Sequence, residues 1–111
     1  MSADAPLGTF EEQVMLAVLR TREDAYGMAV RREIEGVIGR EVTIGAVYAT
    51  LDRLEAKGLV ESERSAAAGE VSRRVFVVTQ RGARALAASR AMRERLWRGV
   101  DLGRLLPKSS G

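Results

Sequence analysis

Residues 43–60 read TIGAVYATLDRLEAKGLV, and their spacing decides the fold. Ile44, Val47, Leu51 and Leu54 recur at intervals of three and four, the period of one apolar helix face. On that reading Gly45, Ala46, Ala49, Thr50 and Arg53 point outward. The outward face is then small, polar and singly cationic. A merely solvated face would carry Glu and Lys, whereas short side chains suit close approach to another surface. Thr43 is a natural N-cap and Gly58 a natural C′ residue, so the helix runs over 43–57.

The flanking segments complete a pattern around this helix. Upstream, Phe10, Val14, Ala17 and Val18 form one apolar face of a helix over 10–21, and Met15, Leu16 and Leu19 form a second. A second helix follows Asp24 as N-cap, carries Val30, Ile34, Val37 and Ile38 inward, and ends at Gly36 or Gly39. Gly27 sits early in it, where packing against a neighbouring helix is the better account of a missing side chain. Downstream, LVESER and RRVFVV are short β-branched segments that read as a hairpin, with SAAAGEVS as a long mobile tip. Thr79 caps a last helix whose stripe is Ala85, Ala88, Met92, Leu96 and Val100. Run from 79 to 106, that helix would be about 42 Å long, too long for its stripe to be buried on so small a domain. The expected fold is α+β, mainly α: a winged helix-turn-helix with a two-stranded wing over 1–78, a C-terminal dimerisation helix over 79–106 and a disordered tail over 107–111.

Composition narrows the chemistry. A chain of 111 residues, 46% apolar and 30% charged, holds one ordinary globular domain. It contains no cysteine and no histidine, which removes thiol chemistry, Cys/His zinc sites and every nucleophile paired with histidine. Its glycines are scattered singly rather than gathered into a phosphate loop, so no enzyme, cofactor or metal is expected. No apolar run is long enough to cross a membrane, and a soluble cytoplasmic protein is expected. The net charge of +3 is unevenly spread: residues 1–40 carry −2, 41–78 carry −1 and 79–111 carry +6. The reading helix therefore lacks the basic stripe that a charge rule would look for.

In a winged helix-turn-helix the third helix enters the major groove and the hairpin lies along the backbone. Gly45 and Ala46 would bring the N-terminus of helix 43–57 close to phosphate, and Thr43 and Thr50 would offer hydroxyls. Tyr48 and Arg53 are long enough to reach further, although Tyr48, one turn beyond Ile44, equally suits a partly buried packing role.

The stretches LGTFEEQVMLAVL, EDAYGMAVRREIE, TIGAVYATLDRLEAKGLV and VVTQRGARAL together resemble the PadR family of bacterial transcriptional regulators. The resemblance covers residues 7–90 and is similar to the short subclass with one C-terminal helix. It implies a winged helix that dimerises through that helix and represses genes of stress response, detoxification or efflux. Tyr26, the TIGAVYATL segment and the wing arginines Arg64, Arg73 and Arg74 match DNA-contacting positions. The wing departs from the family pattern: Val75 and Phe76 replace paired tyrosines, and the turn lacks its basic tip. Arg73 and Arg74 thus read equally as phosphate contacts or solvated strand ends. Some members stack flat aromatic ligands on a tryptophan at the dimer centre. LWRGVD is similar to that position, which implies a planar aromatic effector at Trp97 and Met92, beside the alternative that Trp97 only anchors the interface.

The resulting expectation is a homodimeric repressor on an inverted-repeat operator in double-stranded DNA. Its interface is read as Phe10, Met15, Leu19, Ala85, Ala88, Met92, Leu96 and Val100. The alternatives are an architectural DNA-binding protein of low sequence preference and a winged helix used for protein contact.

Overall fold

The computed structural model describes residues 6–65 and 72–107. Most of the expected hairpin tip and both chain ends lie outside them. Four helices, α1 (Thr9–Thr21), α2 (Gly27–Ile38), α3 (Ile44–Ala56) and α4 (Gln80–Trp97), enclose a hairpin of β1 (Val60–Ser65) and β2 (Arg73–Val78), with a short 3-10 turn at Arg22–Asp24. The strands pair antiparallel from Val60↔Val78 to Ser65↔Arg73. This is a winged helix-turn-helix. No helix among the described residues is long and apolar enough to cross a membrane.

The core forms where the apolar stripes of α1, α2 and α3 meet the root of the hairpin. Val14 and Val18, Val30, Val47, Leu51 and Leu54, with Val60 and Phe76, are fully or almost fully buried there. Burying side chains of this size stabilises the fold by about 1.5–3 kcal/mol each. Strand β2 is engaged on both edges. Beyond β1, the outer edge of β2 is bridged by Tyr26↔Val75, and the Phe76 amide donates to the Ala25 carbonyl at 2.9 Å. The residue that opens α2 is thereby tied to the wing.

Helix ends are closed by capping chemistry at five places, four of them expected from sequence. The Gly8 amide donates to the Glu11 carboxylate at 2.9 Å and starts α1. Thr43 accepts from the Ala46 amide at 3.1 Å. Gly39 and Gly58 adopt the left-handed conformation, at φ 81° and 77°, and close α2 and α3. Thr79 accepts from the Gly82 amide at 3.0 Å and donates its hydroxyl to the Gly58 carbonyl at 2.7 Å, so the cap of α4 is fastened to the end of α3. At Gly82 a Cβ would lie 2.1 Å from the Leu59 carbonyl oxygen. Only glycine lets α4 settle on the start of β1.

Several sequence expectations are corrected. Asp24 does not cap α2; Tyr26 occupies the N-cap position, and Asp24 belongs to the preceding 3-10 turn. Met15 is 0% exposed and is a core residue. It lies three residues before Val18, on the inward stripe, so it cannot lie at a surface shared with another chain. Phe10 and Ala85 likewise pack against the core, half-buried. The last helix ends at Trp97, about 27 Å from its start and well short of residue 106. Gly99, at φ 82°, turns the chain there, and Val100 lies outside the helix.

Candidate nucleic-acid interface

The N-terminal half of α3 is bare. Thr43, Gly45, Ala46 and Ala49 are exposed, and a Cβ at Gly45 would meet nothing within 4 Å. The Thr43 oxygen accepts the capping bond, which leaves its hydroxyl hydrogen free to donate outward. The α2–α3 turn that aims this helix is clipped from α2. Arg31 Nε donates to the Val42 carbonyl at 2.9 Å, and the Val42 amide donates to the Glu35 carboxylate at 3.0 Å. Arg31 and Glu35 were missed as site-builders, although their i,i+4 spacing was visible.

On α3 Thr50 differs from expectation, and Tyr48 takes the packing role that was one of its two readings. Thr50 is 2% exposed. It lies three residues after Val47 and four before Leu54, on the inward stripe, and its hydroxyl accepts from Arg53 Nη2 at 3.3 Å. Thr50 therefore orients Arg53 and is not itself a contact. Tyr48 is half-buried against the core. A Cβ at Gly27 would lie 2.3 Å from Tyr48 Cζ and 2.4 Å from its hydroxyl oxygen, so α2 approaches α3 through the space that Gly27 leaves. The packing account of Gly27 is the one the structure bears out.

Arg53 is 57% exposed at its side chain and lies 3.9 Å from the Glu11 carboxylate, which Lys57 holds at 2.9 Å. Lys57 first, and then the Gly8 amide, keep the Glu11 carboxyl below the usual carboxylate range against the opposing effect of its burial.

On the wing the two neighbouring arginines separate by strand parity. Arg74 shares the inward side of β2 with Phe76, whose ring it covers at 4.8 Å. It pairs with Asp52 at 2.9 Å and with Glu55, and its Nε donates to the Ser62 hydroxyl at 3.1 Å. The Ser62 hydroxyl, followed by Arg74, keeps the Glu55 carboxyl low against desolvation. Arg74 is thus a clamp between α3 and the wing, with its charge already neutralised, and the expectation that it meets phosphate is corrected. Arg73 points the other way. Its guanidinium sits 4.2 Å over the Tyr26 ring and is exposed. Arg64, opposite Arg74 in the register, is exposed as well.

A bare N-terminal half of α3, an oriented arginine farther along the same helix and an arginine-bearing wing are the features of a winged-helix nucleic-acid-binding protein. The chain belongs to the transcriptional regulator PadR-like family, whose model matches residues 15–88. It is accordingly a DNA-binding transcriptional regulator and not an enzyme. A PadR family transcriptional regulator from Eggerthella lenta DSM 2243 is 30% identical, with 86% of this chain and 82% of that one aligned at a TM-score of 0.63. RosR of H. salinarum is 27% identical over 86% of this chain and 81% of its own, at 0.65. The fold extends to a PadR-like regulator of Bacillus cereus strain ATCC 14579, 19% identical over 92% and 95%, at 0.71. No curated protein sequence matches the chain.

Proposed function

We propose that the protein is a homodimeric repressor that binds an inverted-repeat operator, with one α3 in each of two successive major grooves about one helical turn apart. The observation that carries this reading is the uncovered apolar surface remote from the core. Leu16 and Leu19 of α1 are exposed, as are Met92, Leu96 and Trp97 of α4, Leu96 at 70%. Leu16, Leu19 and Leu86 line one groove between α1 and α4, and a second copy of this surface is the natural cover. Of the interface expected from sequence, Leu19, Ala88, Met92 and Leu96 keep that role.

DNA contact is assigned to Thr43, Gly45, Ala46, Ala49 and Arg53 on α3 and to Tyr26, Arg64 and Arg73 beside it. Footprinting on the region upstream of its own gene, with sedimentation of the free protein, tests the assignment. A protected inverted repeat and a dimer at micromolar concentration support it, and a stable monomer overturns it. The small bare face of Gly45, Ala46 and Ala49 also supports the architectural reading, which operator and random-duplex affinities within a factor of ten would favour.

The effector assignment rests on Trp97, which is 57% exposed at the last residue of α4. A flat aromatic ring can be sandwiched there only if the partner protomer supplies the opposite wall. A ligand preferring one spacing of the two C-terminal helices would then shift operator affinity by its differential affinity for the two arrangements. Titrating tryptophan fluorescence with planar aromatic compounds tests this, and an unresponsive signal leaves Trp97 an anchor of the interface.

A further inference from the structure

The family resemblance points to Tyr26 and to the wing arginines, but not to Arg32. This residue lies on the exposed side of α2, and its Nη2 donates to the Tyr26 hydroxyl at 2.8 Å. Its guanidinium carbon is 5.8 Å from the centre of the Tyr26 ring. The guanidinium of Arg73, from the wing, is 4.2 Å from the same centre. One phenol therefore gathers two arginines from different elements, and their guanidinium carbons lie within about 10 Å of each other by those two distances.

Among the described residues, no carboxylate neutralises these two cations. Arg20, Arg31, Arg53, Arg74, Arg90 and Arg93 all lie within ion-pair distance of a carboxylate. Among the described residues, neither Arg32 nor Arg73 has such a partner, and Asp24, two residues before Tyr26, pairs with neither. Two like charges drawn together on a ring, with no counter-ion among the described residues, form a site for an anion from outside. The ring fixes their positions: Tyr26 caps α2 and bridges to Val75 of β2, so the site moves with both α2 and the wing. A Cβ at Gly27, the next residue, would touch Tyr48 of α3, which places the pair beside the reading helix.

We propose that Arg32, bonded to the Tyr26 hydroxyl, and Arg73, over the Tyr26 ring, form a clamp for the DNA backbone, and that Arg32 is a phosphate-contacting residue of this regulator. The proposal rests on the DNA-binding reading. Each strand carries one phosphate per 3.4 Å of helix axis, and a pair of cations within about 10 Å can hold one phosphate or two neighbours. Such contacts fix the register of α3 and carry no base information.

Arg32→Ala, with Arg32→Gln as a second variant, separates the outcomes. Binding of the full-length protein to its operator duplex and to a random duplex is measured from 50 to 200 mM salt. The clamp predicts an affinity loss of about five- to tenfold on both duplexes alike. It also predicts a salt slope shallower by about 0.9 per protomer, or about 1.8 per dimer. Arg32→Lys keeps the charge and should restore the slope. Tyr26→Phe, which removes the hydroxyl anchor, should cost about two- to threefold with the slope kept. If Arg32→Ala and Arg32→Gln keep wild-type affinity and slope while Arg53→Ala still weakens binding, the clamp is overturned and the DNA-binding reading stands. If the wild-type protein binds no duplex at 50 mM salt, both fail together.

Discussion

The two ends of α4 are the same helix in opposite conditions. At its start, Thr79 is fastened to Gly58 and Gly82 lies against the Leu59 carbonyl so closely that a methyl group has no room. About one turn before its end, Arg93 pairs with Glu12 of α1. Beyond that point Leu96 and Trp97 stand in solvent, and the helix stops at Trp97. The reading half of the molecule, by contrast, is fastened at every junction: α1 to α3 through Glu11 and Lys57, α2 to the α2–α3 turn through Arg31 and Glu35, and α3 to the wing through Arg74. One chain thus carries a surface whose elements are fastened to one another and another, at the end of α4, whose large apolar side chains stand exposed.

The comparison breaks most visibly where the core is opened. Phe76→Ala removes the largest fully buried side chain, at the root of the wing, and should lower stability by about 3–5 kcal/mol. At about 4 °C per kcal/mol, differential scanning calorimetry at fixed protein concentration will show it. Gly82→Ala comes next. The obstacle is the backbone oxygen of Leu59 at 2.1 Å, which cannot rotate away, and a cost of about 3 kcal/mol is expected. The same glycine-to-alanine change at Gly36, where a Cβ would meet nothing within 4 Å, should instead stabilise α2 by up to about 1 kcal/mol. Gly82→Ala melting like Gly36→Ala would mean that α4 does not rest on β1.

Arg74→Ala should cost about 1–3 kcal/mol, because it leaves Glu55 half-buried with a charged hydrogen bond unmade. Its effect on DNA affinity should track the loosened wing and leave the salt slope unchanged, since Arg74 is already neutralised by Asp52 and Glu55. Acid offers a milder test of the same junctions. Glu11 and Glu55 both have folded values held below the ordinary 4.5, so each contributes stability that is present above that pH and lost as pH falls through the folded value. With no histidine in the chain, melting temperature should stay flat from pH 6 to 8 and decline below about 4.5. Glu11→Gln should shallow that decline.

The smallest effect on protomer stability is expected at the far end of α4. Leu96→Ala should change it by less than about 0.5 kcal/mol, as surface substitutions do, while shifting sedimentation from dimer towards monomer. A large loss of protomer stability would show that Leu96 is covered within one chain.

Much of this was legible beforehand. Thr43, Thr79, Gly39 and Gly58 declared helix ends through local chemistry that needs no tertiary context. Period and parity also held the corrections, where residue type obscured them. Thr50 sits on the Val47–Leu54 stripe, but a face drawn only through the apolar residues left it pointing outward. Met15 sits on the stripe of Val18. Arg74 shares strand parity with Phe76, yet two adjacent arginines read as one basic patch. The partners that neutralise Arg74, at Asp52, Glu55 and Ser62, come from two other elements, so no local pattern could name them. The end of α4 was overrun because an apolar stripe continuing to Val100 takes no account of backbone conformation, although Gly99 marked the break. Arg32 gave no signal of its own, since its meaning depends on a tyrosine six residues earlier and an arginine on the wing.

The contact between Gly27 and Tyr48 limits how sequences of this architecture can drift. The ring fills the place where a side chain at 27 would stand, so the two positions behave as a single volume divided between α2 and α3. A larger residue at 27 is tolerated only with a smaller one at 48, and either change alone leaves a collision or a hole. Descendants of this chain should therefore exchange the pair together or keep both, and a compensated double substitution is the route by which the angle between α2 and α3 could be inherited in a new form.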